Sequence, residues 1–169
     1  MFYSESFNKN IIPIIGYHNS GKTLFLEKIL ILFESLKINI SVIKHTHHPI
    51  EGSVYDKDTS RLMSRGISSV GLLCDHSFKL DKKDSKIDLE EVIPLLKDSD
   101  ILFLEGFKGI SLPKIEIYRR DVSERLIATN DPYVKAIVTD DEIVCDRKIK
   151  IFKTKEIKKI FDWIWKNIK

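Results

Sequence analysis

Apolar positions along the chain gather in short runs that alternate with longer segments of helical spacing. Residues 11–15 form an apolar run that stops at Gly16 and predicts a buried strand. Residues 24–37 predict a helix that is apolar almost all round, with a narrow polar stripe of Glu27, Lys28, Glu34 and Ser35. Such a helix is expected to be buried on more than one side, a subunit contact included. Residues 40–44 predict a second strand, 58–65 a short helix closed by Gly66, and 68–74 a strand pairing with 76–80. Asp88, with Glu91 three residues on, predicts a capped helix start, and this helix should run to about residue 97 with Pro94 an awkward fit inside it. Further strands are expected at 101–104, 114–118, 134–138 and 149–152; the second of these alternates apolar and polar and should be half-exposed. A helix over 155–168 places Ile157, Ile160, Phe161 and Ile164 on one face.

No repeat, low-complexity stretch or linker divides the sequence, and strands alternating with helices predict an α/β fold with a mostly parallel sheet. A single nucleotide-binding domain over 1–169 is expected, residues 1–10 being flexible. Pro13 resists this picture. It lies in a strand that should sit centrally, where it cannot donate a ladder hydrogen bond, so a bulge or one lost bond is expected there.

Composition narrows the function classes. The chain is 43% hydrophobic and 31% charged, and 28 basic against 25 acidic residues leave a formal charge of +3, too little for a dedicated nucleic-acid binder. The Lys-rich stretch 148–169 holds much of the excess and reads as a solvated helix face. No segment is apolar for long enough to span a membrane and the N-terminal stretch lacks a signal-peptide core, so a cytoplasmic protein is expected. Cys74 and Cys145 fit no zinc spacing; buried thiols in a reducing compartment are expected.

The chemistry concentrates at Gly16-Tyr17-His18-Asn19-Ser20-Gly21-Lys22-Thr23, which matches GxxxxGK[ST] between a strand and a helix. Gly16 lets the chain turn tightly out of the strand, and Gly21 keeps a side chain out of the phosphates' path. The loop N–H groups converge on an oxyanion at the positive end of the following helix. Lys22 would bridge the terminal phosphates and Thr23 would ligate Mg2+. Leu24 stands where a second hydroxyl is common, and Tyr17 excludes the additional loop lysine of the partitioning ATPases.

A magnesium nucleotide site also needs an acid at the carboxyl end of a neighbouring strand. Glu105, after 101–104, fits best; Asp58 is the alternative, whereas Asp100 lies at the wrong end and reads as a cap. Lys44-His45-Thr46-His47-His48 is the most unusual local composition, read as a polar switch or substrate loop, with a metal site as the alternative.

With these residues in place, the sequence resembles the molybdopterin-guanine dinucleotide biosynthesis adaptor family, MobB. The matching pieces are GYHNSGKT at 16–23, VIKHTHHP at 42–49, KDTSR at 57–61, DILFLEGFK at 100–108, PKIEIYR at 113–119 and KAIVTD at 135–140. The resemblance implies the P-loop NTPase three-layer α/β fold, and a homodimeric GTP-binding protein with weak GTPase activity. It would assist the nucleotidyltransferase MobA in attaching GMP to molybdopterin. By the same resemblance Lys22, Asp58 and Glu105 serve the reaction, and Thr23, Asp58 and Glu105 hold the metal. The nucleotide is lined further by Lys44, His45, His47 and His48, and by Gly106, Phe107 and Lys108.

Base choice rests on less. No NKxD is present; Asp140, ending a strand, could accept two N–H bonds from guanine or be a turn residue. Arg119 and Arg120 could grip the phosphate of a pterin or be simply exposed. Two other classes stay open: a P-loop small-molecule kinase, with Arg61 and Arg65 as candidate arginines, and a metallochaperone GTPase using the His cluster.

Overall fold

The computed structural model describes residues 10–46, 68–82 and 86–167. The chain falls into two compact units, Met1–Thr46 with Asp98–Lys169, and His47–Lys97.

The larger unit is built on a six-stranded sheet. Its strands are β1 (Asn10–Ile15), β2 (Ile40–Lys44), β5 (Ile101–Glu105), β6 (Lys114–Ile117), β7 (Val134–Val138) and β8 (Lys150–Phe152). Their order is β2-β5-β1-β6-β7-β8 and every pairing is parallel. β1 thus lies between β5 and β6, at the point where the order of strands reverses, and open α/β sheets bind ligands beyond the carboxyl ends of strands at that point.

Pro13 is accommodated without a bulge. Residues of a parallel strand bond alternately to the left and right neighbour. The Ile14 carbonyl accepts the Gly106 N–H on the β5 side at 3.0 Å. The Pro13 nitrogen therefore faces β6, where the ladder begins only at Ile14 opposite Ile115. The missing donor falls just before the pairing starts, and the β1–β5 register runs unbroken.

Helix α1 (Lys22–Glu34) buries Phe25, Leu26, Ile29 and Phe33 on the sheet. Phe33 meets Phe103 and Phe161 edge-on, with ring centroids 5.8 and 4.7 Å apart. The expected burial on several sides does not hold within this chain, since Leu24 and Ile31 are 55% and 61% exposed. The C-terminal helix α3 (Ile157–Asn167) packs beside α1 through Ile160 and Ile164. The opposite face of the sheet carries a second cluster of Ile15, Tyr118, Ala128, Val134 and Ile137. It is closed by a 3-10 turn (Ile127–Thr129) and by Ile143 and Ile149. This is the α/β arrangement expected from the alternating pattern.

In the smaller unit, β3 (Ser69–Cys74) and β4 (Ser77–Lys82) form the expected antiparallel pair, in a sheet of their own. The helix expected over 88–97 is instead two pieces. Helix α2 (Leu89–Val92) opens with the Glu91 carboxylate accepting the Asp88 N–H, and a 3-10 turn (Ile93–Leu96) follows. Pro94 sits in the first turn of that second piece, where a missing N–H costs nothing. The helix expected at 58–65 lies outside the described residues. Neither cysteine is buried as expected: Cys74 is exposed at the end of β3, its Sγ 2.9 Å from Ser77 Oγ across the hairpin, and Cys145 is half-buried.

Candidate functional site

The phosphate loop joins the carboxyl end of β1 to α1. Gly16 has φ +153°, and a Cβ there would lie 2.4 Å from the Ile117 carbonyl oxygen, so only glycine lets the loop leave β1 so close to β6. The first helical hydrogen bond runs from the Phe25 N–H to the Gly21 carbonyl. The N–H groups before it point out of the helix start. The first turn of α1 carries no acidic side chain to quench that positive end.

Lys22 folds back over the loop and donates to the Tyr17 and Gly16 carbonyls at 2.6 and 3.3 Å. Its ammonium is held below the usual lysine pKa, chiefly by burial; Glu105 opposes this, while Lys108 and Lys44 add to it. The ammonium groups of Lys22, Lys44 and Lys108 thus act on one another, with the Glu105 carboxylate beside Lys44 and acting on Lys22. Two positive charges remain in excess, which suits a polyanion. Lys108 reaches the same loop, its Nζ 4.3 Å from the centre of the Tyr17 ring.

Glu105 ends β5 and is 5% exposed. Thr23 Oγ1 donates to its Oε1 and Oε2 at 2.9 and 3.1 Å. Lys44, opposite Glu105 in the β2–β5 register, places Nζ 3.2 Å from Oε1 and 3.1 Å from Thr23 Oγ1. The hydroxyl and the carboxylate are hard oxygen donors converging on one point, a set that fits Mg2+, and a cationic ammonium already stands against both. The end of β5 is fixed from two sides, its Glu105 carbonyl accepting the His45 N–H at 2.9 Å while the next residue bonds β1. Gly106 has φ +102° with its Cβ position 3.2 Å from His45 Cβ, and the His45 and Phe107 rings lie 5.2 Å apart.

The structure therefore brings together Gly16 to Thr23, Lys44, His45 and Glu105 to Lys108. His18, Asn19 and Leu24 are exposed at the loop and helix start. Asp140 lies two residues beyond β7, two strands from β1, and there both carboxylate oxygens accept from Thr154, one from its N–H and one from its hydroxyl. Those bonds hold its pKa below the usual aspartate value. Asp100, expected to cap the connection before β5, instead accepts the N–H of Asn39, just before β2, at 2.7 Å. Asp58, His47, His48, Arg61 and Arg65 lie outside the described residues.

Three features were not legible from motifs. Ser20 Oγ is buried with no hydrogen-bond partner among the described residues, inside the loop and against the Gly16 turn. β6 is buried along its whole length, against the expected half-exposure. Its two charges are consumed internally. Lys114 Nζ binds the Lys108 carbonyl and Asp131 Oδ2, each at 2.8 Å, pinning the segment after Glu105. Glu116 accepts the Ile127 and Ala128 N–H groups, each at 2.8 Å, and burial raises its pKa despite them.

Residues 11–140 match the family model described as Molybdopterin guanine dinucleotide synthesis protein B. The chain is 32% identical over 155 residues to the molybdopterin-guanine dinucleotide biosynthesis adapter protein of Haemophilus influenzae, covering 88% of this chain and 86% of that one. Among solved structures, the MobB protein homolog from Bacillus stearothermophilus superposes with a TM-score of 0.68 at 16% identity, covering 94% of this chain and 97% of the other. Bacillus subtilis MobB gives 0.67 at 24% identity, with 94% and 98% covered. At such identities these two structures show the fold: a P-loop NTPase-like α/β sheet with flanking helices.

Proposed function

The chain belongs to the molybdopterin guanine dinucleotide synthesis protein B family, and from that membership we propose a GTP-binding adaptor that assists attachment of GMP to molybdopterin. The observation that carries this reading is the meeting of Thr23 with Glu105, at 2.9 and 3.1 Å, beneath the Lys22 loop. The loop N–H groups and Lys22 take the phosphates of the nucleotide, and Thr23 and Glu105 hold Mg2+, with Asp58 as a further ligand by family resemblance. Magnesium bound there neutralises charge on the terminal phosphates. With nucleotide bound, Lys22 would exchange its loop carbonyls for phosphate oxygens and Lys44 would release the Glu105 carboxylate. Lys108 and the His45 loop close the γ-phosphate side. By the family resemblance, hydrolysis at this site is slow. The partners are the nucleotidyltransferase MobA and a second copy of this chain.

Calorimetric titration with GTP and ATP, with and without magnesium, on wild type and Lys22→Ala tests the nucleotide reading. GTP should bind more tightly than ATP, and Lys22→Ala should lose both; equal affinity for the two bases would remove the guanine assignment. Stimulation of a purified GMP transferase tests the adaptor role, and rapid phosphoryl transfer to a small molecule would instead make the protein a kinase.

A further inference from the structure

The larger unit contains a cavity of about 550 Å³ that includes none of the phosphate-loop residues. It is an open groove at the carboxyl end of β6, beginning at Tyr118 and bounded by the segment after Arg120 and by residues 143 and 144, most of its lining being exposed. Its volume is that of a small-molecule site.

The walls are fixed by hydrogen bonds among their own residues and their neighbours. Arg147 spends its guanidinium on the carbonyls of Ala128, Asp131 and Pro132, at 2.6, 2.5 and 3.0 Å. Arg120 ties its own segment to the far wall, its N–H donating to Asp141 Oδ2 at 2.8 Å and its guanidinium to the Glu142 carbonyl. Glu116 holds the 3-10 turn from beneath. Such a cavity is largely pre-formed, which lowers the ordering cost of binding.

Two groups at the cavity are unspent. Tyr118 lines the cavity and is only 4% exposed, and its hydroxyl makes no hydrogen bond among the described residues. Buried phenols normally find a partner. The Arg125 guanidinium likewise makes no hydrogen bond or ion pair among the described residues. Of the charged lining residues Arg120 and Arg125 outnumber Glu124, and with Arg120 bonded to the Asp141–Glu142 wall it is Arg125 that is left to meet an anion. The other side is apolar: Leu126, Ile143 and Val144, the last 89% exposed.

We propose that this cavity is a second binding site, for an anionic aromatic small molecule whose ring lies on Leu126, Ile143 and Val144 while its charge pairs with Arg125. The Tyr118 hydroxyl bonds the polar edge of the ring, and Thr129 and Asn130 complete the rim. The site stands independently of the nucleotide reading, since it uses no residue of the phosphate loop.

Protein-observed NMR titration with phenyl phosphate, phenol and inorganic phosphate tests it, on wild type and on Lys22→Ala. Phenyl phosphate should shift the amides of Leu126, Asn130 and Val144 saturably in both proteins, and more tightly than either fragment. Arg125→Ala should weaken that binding by about tenfold, the loss of one charge-assisted pair. Tyr118→Phe should weaken it with the charge preference intact, and circular dichroism shows that each variant is folded. Shifts confined to residues 16–23 that vanish in Lys22→Ala would overturn the proposal. So would inorganic phosphate binding as tightly as phenyl phosphate, or Arg125→Ala and Tyr118→Phe both binding like wild type.

Discussion

The hydroxyl of Thr23 donates to both oxygens of the Glu105 carboxylate, at 2.9 and 3.1 Å, across a sequence separation of 82 residues. A neutral amide at position 105 keeps a hydrogen-bonding oxygen but loses the anionic donor that a divalent cation requires. Glu105→Gln should therefore cut the magnesium-dependent gain in nucleotide affinity by about tenfold or more, roughly 1.4 kcal/mol. Affinity in EDTA should change little. Calorimetry with and without magnesium reads both, and an equal loss in the two conditions would remove Glu105 from the metal.

Lys44 competes for the same carboxylate. Its side chain is 57% exposed, and such a pair is worth at most about 1 kcal/mol after solvent screening. Lys44→Met should lower the magnesium concentration needed for half-maximal nucleotide binding, by about fivefold at most. An increase would mean that Lys44 holds phosphate more than it guards the metal ligands.

Gly16→Ala puts a methyl group 2.4 Å from the Ile117 carbonyl oxygen at a positive φ. Backbone cannot yield cheaply on either side, and a loss of roughly 3 kcal/mol is expected. Denaturant unfolding measures it. The folded fraction should bind nucleotide weakly even below the transition, because β1 and β6 must part to admit the methyl.

Lys114 touches no loop residue from 16 to 23, yet it fixes the Lys108 carbonyl and Asp131. Lys114→Met leaves Asp131 without its cation and should cost about 3 kcal/mol of stability. It should also loosen the segment after Glu105, seen as faster amide exchange at Gly106 to Lys108. Stability at the wild-type level would show the pair to be dispensable.

Glu116 gives a pH signature. Its carboxyl titrates above the ordinary value of 4.5, burial outweighing the two N–H bonds. A carboxyl raised in the folded state favours folding below its unfolded pKa, and that advantage is lost as pH rises through the folded value. Against Glu116→Gln, wild type should thus lose stability between pH 4.5 and its raised pKa. The exposed carboxylates of Asp140 and Glu156, whose pKa values are lowered, are common to both proteins and cancel in the difference. A pH-independent difference would contradict the raised pKa.

Much of the site was readable because its parts are tied to local pattern. GxxxxGKT follows an apolar strand and opens a helix, and Glu105 ends another apolar run, so both fall at strand carboxyl ends whatever the order of strands. That order is set by long-range pairing, and no local pattern announces that β5 and β6 flank β1. β6 misled for a different reason. Lys114 and Glu116 alternate with isoleucines as in a half-wet strand, and only the positions of Asp131 and of the Ile127 and Ala128 N–H groups let both charges be buried. Pro94 was an obstacle only while 88–97 was taken as one helix. Cys74 was placed inside because its neighbours are apolar, but those neighbours belong to a hairpin whose Leu73 is 82% exposed.

The central place of β1 has a consequence for the newborn chain. During synthesis β1 and its phosphate loop leave the ribosome long before β5 and β6, the strands that hold them on either side. Until β5 has emerged Thr23 has no Glu105, and until β6 has emerged Gly16 has no Ile117 carbonyl against it. Stalled nascent chains ending before β5 should therefore show no nucleotide affinity, and those extending beyond β7 should acquire it in one step. Ligand binding would then report that translation has passed the middle of the sheet.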